Sequence, residues 1–192
     1  QTEDAAERLR LRERLLALQE ELDIFPYLAS LFPGLADRFS PWVLEALYYL
    51  DPARGLAVLR DGTQHNYYGT RAKAIELLGR LRHTQSLNLI ARGLVDGKME
   101  VRIAAAYALA NVGAKSATPA LIESLKHPDL RVSNASREAL QALWQNEIGE
   151  KRLITVDEWK AVWEAHADAV ETPIALDALQ PLIDPELEFE DE

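Results

Sequence analysis

Apolar and polar residues follow a helical period along most of this chain, and the pattern itself recurs every 31 positions. The best-preserved copy runs from Glu100 to Asp129 and reads as two short amphipathic helices folded on each other. Downstream, its Val101, Ala108, Leu109 and Val112 fall on Val132, Ala139, Leu140 and Leu143. Upstream, Arg102, Leu109, Val112, Leu121 and Leu125 fall on Arg71, Leu78, Leu81, Ile90 and Leu94. A weaker copy precedes these, with Leu47, Leu50, Leu56 and Leu59 lying 31 positions before Leu78, Leu81, Leu87 and Ile90. A fixed period of this length marks a stacked array in which each helix pair buries its apolar side against the next. The predicted fold is all-α, an α-α superhelix with capping helices at both ends.

The elements follow from local signals. Residues 1–39 are predicted to form N-terminal capping helices. The first carries Leu11, Leu15, Leu18 and Leu22 on one stripe, widened by Leu9 and Leu16. It covers the open end of the array, or else pairs with a partner or a second copy. Pro26 suits a first turn, and Pro33-Gly34 stops that helix. The repeats occupy residues 40–144, divided at about 40–68, 69–98, 99–129 and a partial copy at 130–144. Ser40-Pro41 and Asp51-Pro52 each read as an N-cap followed by proline at the first helical position. Helix pairs are expected at about 70–81 with 85–95, and at 99–111 with 116–126. Gly113 supplies a left-handed stop, and Asp129 caps the helix running to Trp144. The polar, aromatic connector Thr63–Gly69 is expected to pack over the end of a pair. After Trp144 the period is lost. Thr155-Val156-Asp157-Glu158 is a capping box opening a last helix within the C-terminal cap, residues 145–171. Trp144, Trp159 and Trp163 are expected to plug that end of the core. Residues 172–192 read as a flexible acidic tail or as a strand-like segment that docks on the protein, six of the last nine residues being Asp or Glu and apolar residues alternating with them.

Composition sharpens this picture. At 192 residues with 48% hydrophobic and 27% charged positions, the chain suits a short solenoid with a continuous core. No apolar run approaches the ~20 residues of a membrane span. Cysteine is absent, which removes disulfides, thiolate nucleophiles and Cys-bound metals. The net charge of −10 opposes nucleic-acid binding, which needs a positive field. The charge is uneven, however. Between Gly69 and Arg137 eleven Lys/Arg stand against five carboxylates, a net +6, which leaves −16 for the rest. A basic middle between acidic flanks predicts an acidic protein partner, or an acidic tail that lies on the middle until a partner displaces it.

The stretch Val101-Arg102-x-x-Ala105-Ala106-x-Ala108-Leu109-x-x-Val112-Gly113, followed by Pro119-Ala120-Leu121-Ile122 and Leu125, resembles the HEAT repeat. It is most similar to the short bacterial form grouped with phycobilin-lyase-like repeats. The likeness is strong over about 69–143 and traceable back to Ser40. It implies a surface for binding other proteins. It also implies an alternative, a lyase- or chaperone-like repeat protein that binds a small molecule. In the family the arginine of the Val-Arg pair joins an inter-repeat ladder, so the resemblance assigns Arg71 and Arg102 a structural part. Its replacement by Ser133 implies that the regular array ends there. A terminal helix with Trp-x-x-x-Trp (Trp159, Trp163) resembles the endings of secreted or periplasmic bacterial repeat proteins. The chain starts at Gln1 rather than Met, and a cleaved export signal would account for both features.

Chemistry is hard to find. His65, His83, His127 and His166 are scattered without ligand spacing, so no metal is expected. Glycines never cluster as a phosphate cradle, and no serine sits in a nucleophile elbow. No catalytic residues and no cofactor are therefore expected. The expected function is a non-catalytic interaction module or scaffold. Its concave face is formed by the second helices of the pairs, with Asn88, Arg92, Glu123 and Lys126 as contact residues and Trp163 as a candidate anchor.

Overall fold

The computed structural model describes residues 2–32 and 39–183, with side chains from Glu7 onward apart from Arg8. Pro33-Gly34 and the acidic run 184–192 lie outside the described residues. Among those described, every element is helical. They are α1 (Thr2–Glu21), α2 (Phe25–Leu31), α3 (Ser40–Leu50), α4 (Pro52–Gly62), α5 (Tyr68–Arg80) and α6 (Leu87–Arg92). Then come α7 (Met99–Val112), α8 (Thr118–Ser124), α9 (Leu130–Leu143), α10 (Gln145–Ile148) and α11 (Val156–His166). Single 3-10 turns at Thr84–Ser86, Gly93–Val95 and Lys115–Ala117 tighten the ends of α6 and the entry to α8.

The helices form two layers. α3, α5, α7 and α9 pack side by side as the first layer, and α4, α6, α8 and α11 follow as the second. Both layers share one core. Leu44, Leu47, Leu59, Ile75, Leu78, Ile90, Leu109, Leu121 and Leu140 are all fully buried, and most stand at equivalent positions of successive repeats. Close stacking depends on small residues. A Cβ on Gly79 of α5 would lie 2.5 Å from the Cβ and 2.6 Å from the Cα of Ala108 on α7. At Gly55 the obstacle is backbone as well, with Tyr48 Cα at 2.5 Å. These approaches set the separation of α5 from α7 within the first layer and of α4 from α3 between the layers.

Caps agree with the sequence at most ends. The Asp51 carboxylate accepts from Arg54 N–H at 3.0 Å, and Asp129 accepts from Arg131 N–H at 2.8 Å. Gly113 ends α7 with φ 79°, and Thr155 with Glu158 completes the capping box of α11. Backbone N–H groups of Thr155 and Ile154 hold the Glu158 carboxyl below the usual carboxylate range. Ser40 differs from expectation. It makes no cap; α3 already starts at Ser40, and its hydroxyl lies 2.5 Å from Thr70 Oγ1 in the buried contact between α3 and α5. A serine before proline thus ties one repeat to the next.

The two ends are closed differently. At the C-terminal end Trp144 and Trp159 are fully buried. Trp144 donates to Thr118 Oγ1 at 2.9 Å and lies between Lys115, 4.6 Å from its ring centre, and the His166 ring at 5.2 Å. Lys115 also pairs with Glu147 and depresses that carboxyl's pKa. At the other end α1 packs on α3, and Arg12 stacks 4.0 Å above the Tyr49 ring. Asp23 is gripped by Arg54 through two hydrogen bonds of 2.8 and 2.9 Å, which holds its carboxyl far below the usual range.

Candidate functional site

Two features beyond the core are built from residues that recur or converge. The first is a polar ladder between repeats. Positions 65, 96 and 127, each 31 apart, sit in the loops that follow the second helices. In every case the side chain turns back on its own loop. His65 Nδ1 accepts from Tyr67 N–H at 3.0 Å, Asp96 from Lys98 N–H at 3.0 Å, and His127 Nδ1 from Asp129 N–H at 3.1 Å. The arginines of the first layer bridge these loops. Arg71, fully buried, donates to the carbonyls of His65 and Asn66 at 2.9 and 2.8 Å. Its other nitrogens meet both carboxylate oxygens of Asp96 at 2.9 and 2.8 Å. One repeat later Arg102 donates to the Asp96 carbonyl and contacts the His127 imidazole. Each arginine therefore holds the loop before its own helix and the side chain one repeat on. At the third position Ser133 reaches only the Leu130 carbonyl, at 3.2 Å, and the ladder stops.

The rung at His127 is the weaker of the two: with Nδ1 accepting from Asp129 N–H, a neutral imidazole carries its proton on Nε2 and offers the Arg102 guanidinium no lone pair, where Asp96 offers Arg71 two charged oxygens. His127→Asp is expected to recreate the Arg71–Asp96 geometry around Arg102. A gain of about 1 kcal/mol is expected in urea denaturation, the scale of a charge-assisted hydrogen bond. A loss would show that the second rung does not use the same geometry.

The second feature lies on the second layer. Residues 172–183, expected from composition to be flexible, are laid along it as a strap. Ile174 N–H donates to the Ser116 carbonyl at 2.8 Å, and Ala120 N–H donates to the Ile174 carbonyl at 3.1 Å. The latter occupies one of the N–H groups that the first turn of α8 leaves without a helical partner. Farther along, Arg92 donates to the carbonyls of Gln180 and Pro181 at 3.1 and 2.6 Å, and reaches that of Leu182 at 3.4 Å. Leu182 is buried, and Ile174, Leu176 and Leu179 pack against the core as half-buried residues. Beside the strap a groove of about 630 Å³ opens between Val95, Pro119, Ile122 and Glu123 on one side and Lys160, Trp163 and Leu176 on the other.

Of the five candidate contact residues, four lie on or next to this strap. Arg92 grips it. Glu123 and Trp163 line the groove, Trp163 half-buried, and Lys126 forms an exposed 2.6 Å ion pair with Glu123. Asn88 stands apart, exposed on α6. Sequence reasoning left the strap open, as a flexible tail or a docked segment, and missed the loop positions 65, 96 and 127. Both left signals: apolar residues at 174, 176, 179 and 182, and a polar acceptor recurring at the repeat spacing. Among the described residues no group of His, Asp or Glu is placed to hold a metal ion, and no helix is long and apolar enough to cross a membrane.

Among curated proteins and solved structures nothing matches the chain. Residues 56–141 match the family of HEAT repeats, a stretch that takes in the pairs α5–α6 and α7–α8, parts of α4 and α9, and both rungs of the ladder. Over these residues the chain carries HEAT repeats.

Proposed function

We propose that this chain is a non-catalytic protein-interaction module that takes an extended, apolar peptide segment on its second helical layer. HEAT repeats in general mediate contacts between proteins. The observation that carries the reading is the strap. The face formed by α6 and α8 already holds a segment of the chain, extended on either side of one 3-10 turn at Leu176–Ala178, and it does so largely through backbone groups. Arg92 addresses three successive carbonyls, and the α8 N-terminus addresses one more. Contacts to backbone recognise any extended chain, and the burial of apolar side chains such as Leu176, Leu179 and Leu182 against the core selects among sequences. Glu123, Lys126 and Trp163 border the groove where a longer partner segment would continue. The basic surroundings favour acidic residues in that partner. The experiment is capture of the natural partner by the intact chain, compared with Arg92→Glu and Lys126→Glu. Each reversal is expected to weaken capture by about tenfold, equivalent to ~1.4 kcal/mol. Lys126→Glu leaves the strap's own contacts in place, so unchanged capture by that variant would remove this face as the binding surface.

A further inference from the structure

The outer end of the stack, where α1 lies, is dressed unlike a terminal repeat. Capping elements normally show a polar outer face to water. Here Leu9, Leu11, Leu18 and Leu22 are 55, 52, 46 and 65% exposed, and Trp42 beside them is 44% exposed. Between α1 and α3 runs an apolar groove of about 500 Å³, floored by Leu15, Leu16, Val43 and Leu50 with Trp42 and Tyr49 at its side. Single exposed leucines are ordinary, but a continuous stripe against a groove is an interface feature.

The stripe has a register. Leu11, Leu15, Leu18 and Leu22 follow spacings of four, three and four, the pattern of one face of a coiled-coil helix. The charges beside it are segregated. Residues 8–14 hold four arginines and one glutamate, after Glu3, Asp4 and Glu7, and Glu20 and Glu21 close the helix. The last turn of α1 therefore carries two carboxylates and no cation, the charge that a helix C-terminus disfavours. A second helix that brings its arginines to this acidic end offsets that. A parallel neighbour would set arginine against arginine. An antiparallel copy of the same helix sets the arginine stretch against the acidic last turn.

We propose that α1 pairs antiparallel with α1 of a second copy of this chain, forming a two-fold symmetric dimer through the outer end of the stack. In that register Leu15 meets Leu18 of the second copy and Leu11 meets Leu22, each contact occurring twice. Leu18 and Leu22 of one copy enter the groove of the other beside its Leu11, Leu15 and Trp42. Arg14 and Glu21 flank the stripe on the same side, so each Arg14 lies next to Glu21 of the other copy. Arg14 and Glu21 are both exposed in the single chain and available for this pairing.

Sedimentation equilibrium of the intact chain tests the proposal, and the expected species has twice the 21.5 kDa chain mass. Arg14→Glu alone places four carboxylates at the two contacts, and Glu21→Arg alone places four cations there. Each is expected to weaken self-association by about tenfold or more at low salt. Mixing the two variants restores complementary pairs at both contacts and is expected to return a heterodimer at near wild-type affinity. The double variant in one chain is expected to dimerise with itself. Circular dichroism of each variant checks that α1 remains helical. A wild-type chain that stays monomeric up to ~100 µM overturns the proposal. So does loss of the dimer in single variants without rescue on mixing, and so does binding of α1 to anionic vesicles with no self-association.

Discussion

Replacing Arg71 with alanine is expected to cost about 3–5 kcal/mol of folding free energy, the range for breaking a buried ion pair on one side. The guanidinium is inaccessible to solvent and, among the described residues, makes four hydrogen bonds, two of them to a carboxylate that is itself 1% exposed. Alanine leaves the Asp96 charge stranded and takes the donor from the His65 and Asn66 carbonyls. The loss is therefore mostly the stranded carboxylate, not the worth of the pair. Arg71→Met combined with Asp96→Asn is expected to recover most of it, because asparagine keeps the acceptor for Lys98 N–H without the buried charge. Urea denaturation of the three proteins reads this directly. A single variant within 1 kcal/mol of wild type, on the order of an exposed pair, would show that the ladder does not join the repeats energetically. Because the His65–Asn66 loop and α5 belong to successive repeats, the loss should also appear as an earlier unfolding of the N-terminal pairs.

Gly79→Ala is expected to destabilise the chain by about 1–3 kcal/mol, the usual cost of overpacking. The sign is the informative part. In an exposed helix interior the same change stabilises by up to ~1 kcal/mol, since glycine is a poor helix former. At Gly79 the new methyl would meet the backbone and Cβ of Ala108, which cannot rotate away. α5 and α7 must separate, and the contact between Leu78 and Leu109 regions opens with them. Thermal or urea unfolding that shows stabilisation would contradict the close approach described here.

Much of the stack was legible because its physics is local and repeated. Leu78, Leu109 and Leu140 recur at one face of three helices, and a helix that must bury that face three times leaves a period that one sequence displays. Caps at Asp51, Gly113, Asp129 and Thr155 were legible for the same reason, since cap and helix are neighbours in the chain. Ser40 shows the limit. Its sequence context is that of a cap, but Thr70, thirty positions away, competes for the hydroxyl. The ladder was half legible. Arg71 and Arg102 stand out by repetition, whereas their partners differ in type, carbonyls with Asp96 in one case and His127 in the other. The strap was legible only as an alternative, a docked segment without its site. Its grip depends on Arg92 meeting carbonyls 88–90 residues away, and backbone acceptors leave no mark in side-chain pattern. Of the binding surface, single residues were readable and their arrangement around a bound segment was not.

The central claim is that the α6–α8 face is a site for an extended segment and that residues 172–183 occupy it. A chain ending at Glu171, shown to be helical by circular dichroism, can be titrated with a synthetic peptide of residues 172–183 by isothermal calorimetry. The account predicts saturable binding of one peptide per chain, weakened about tenfold or more by Arg92→Glu. An affinity in the range of ~10 µM to 1 mM suffices, because tethering supplies an effective concentration on the order of millimolar in the intact chain. A folded chain that shows no binding at ~1 mM peptide, or binding indifferent to Arg92→Glu, would contradict it.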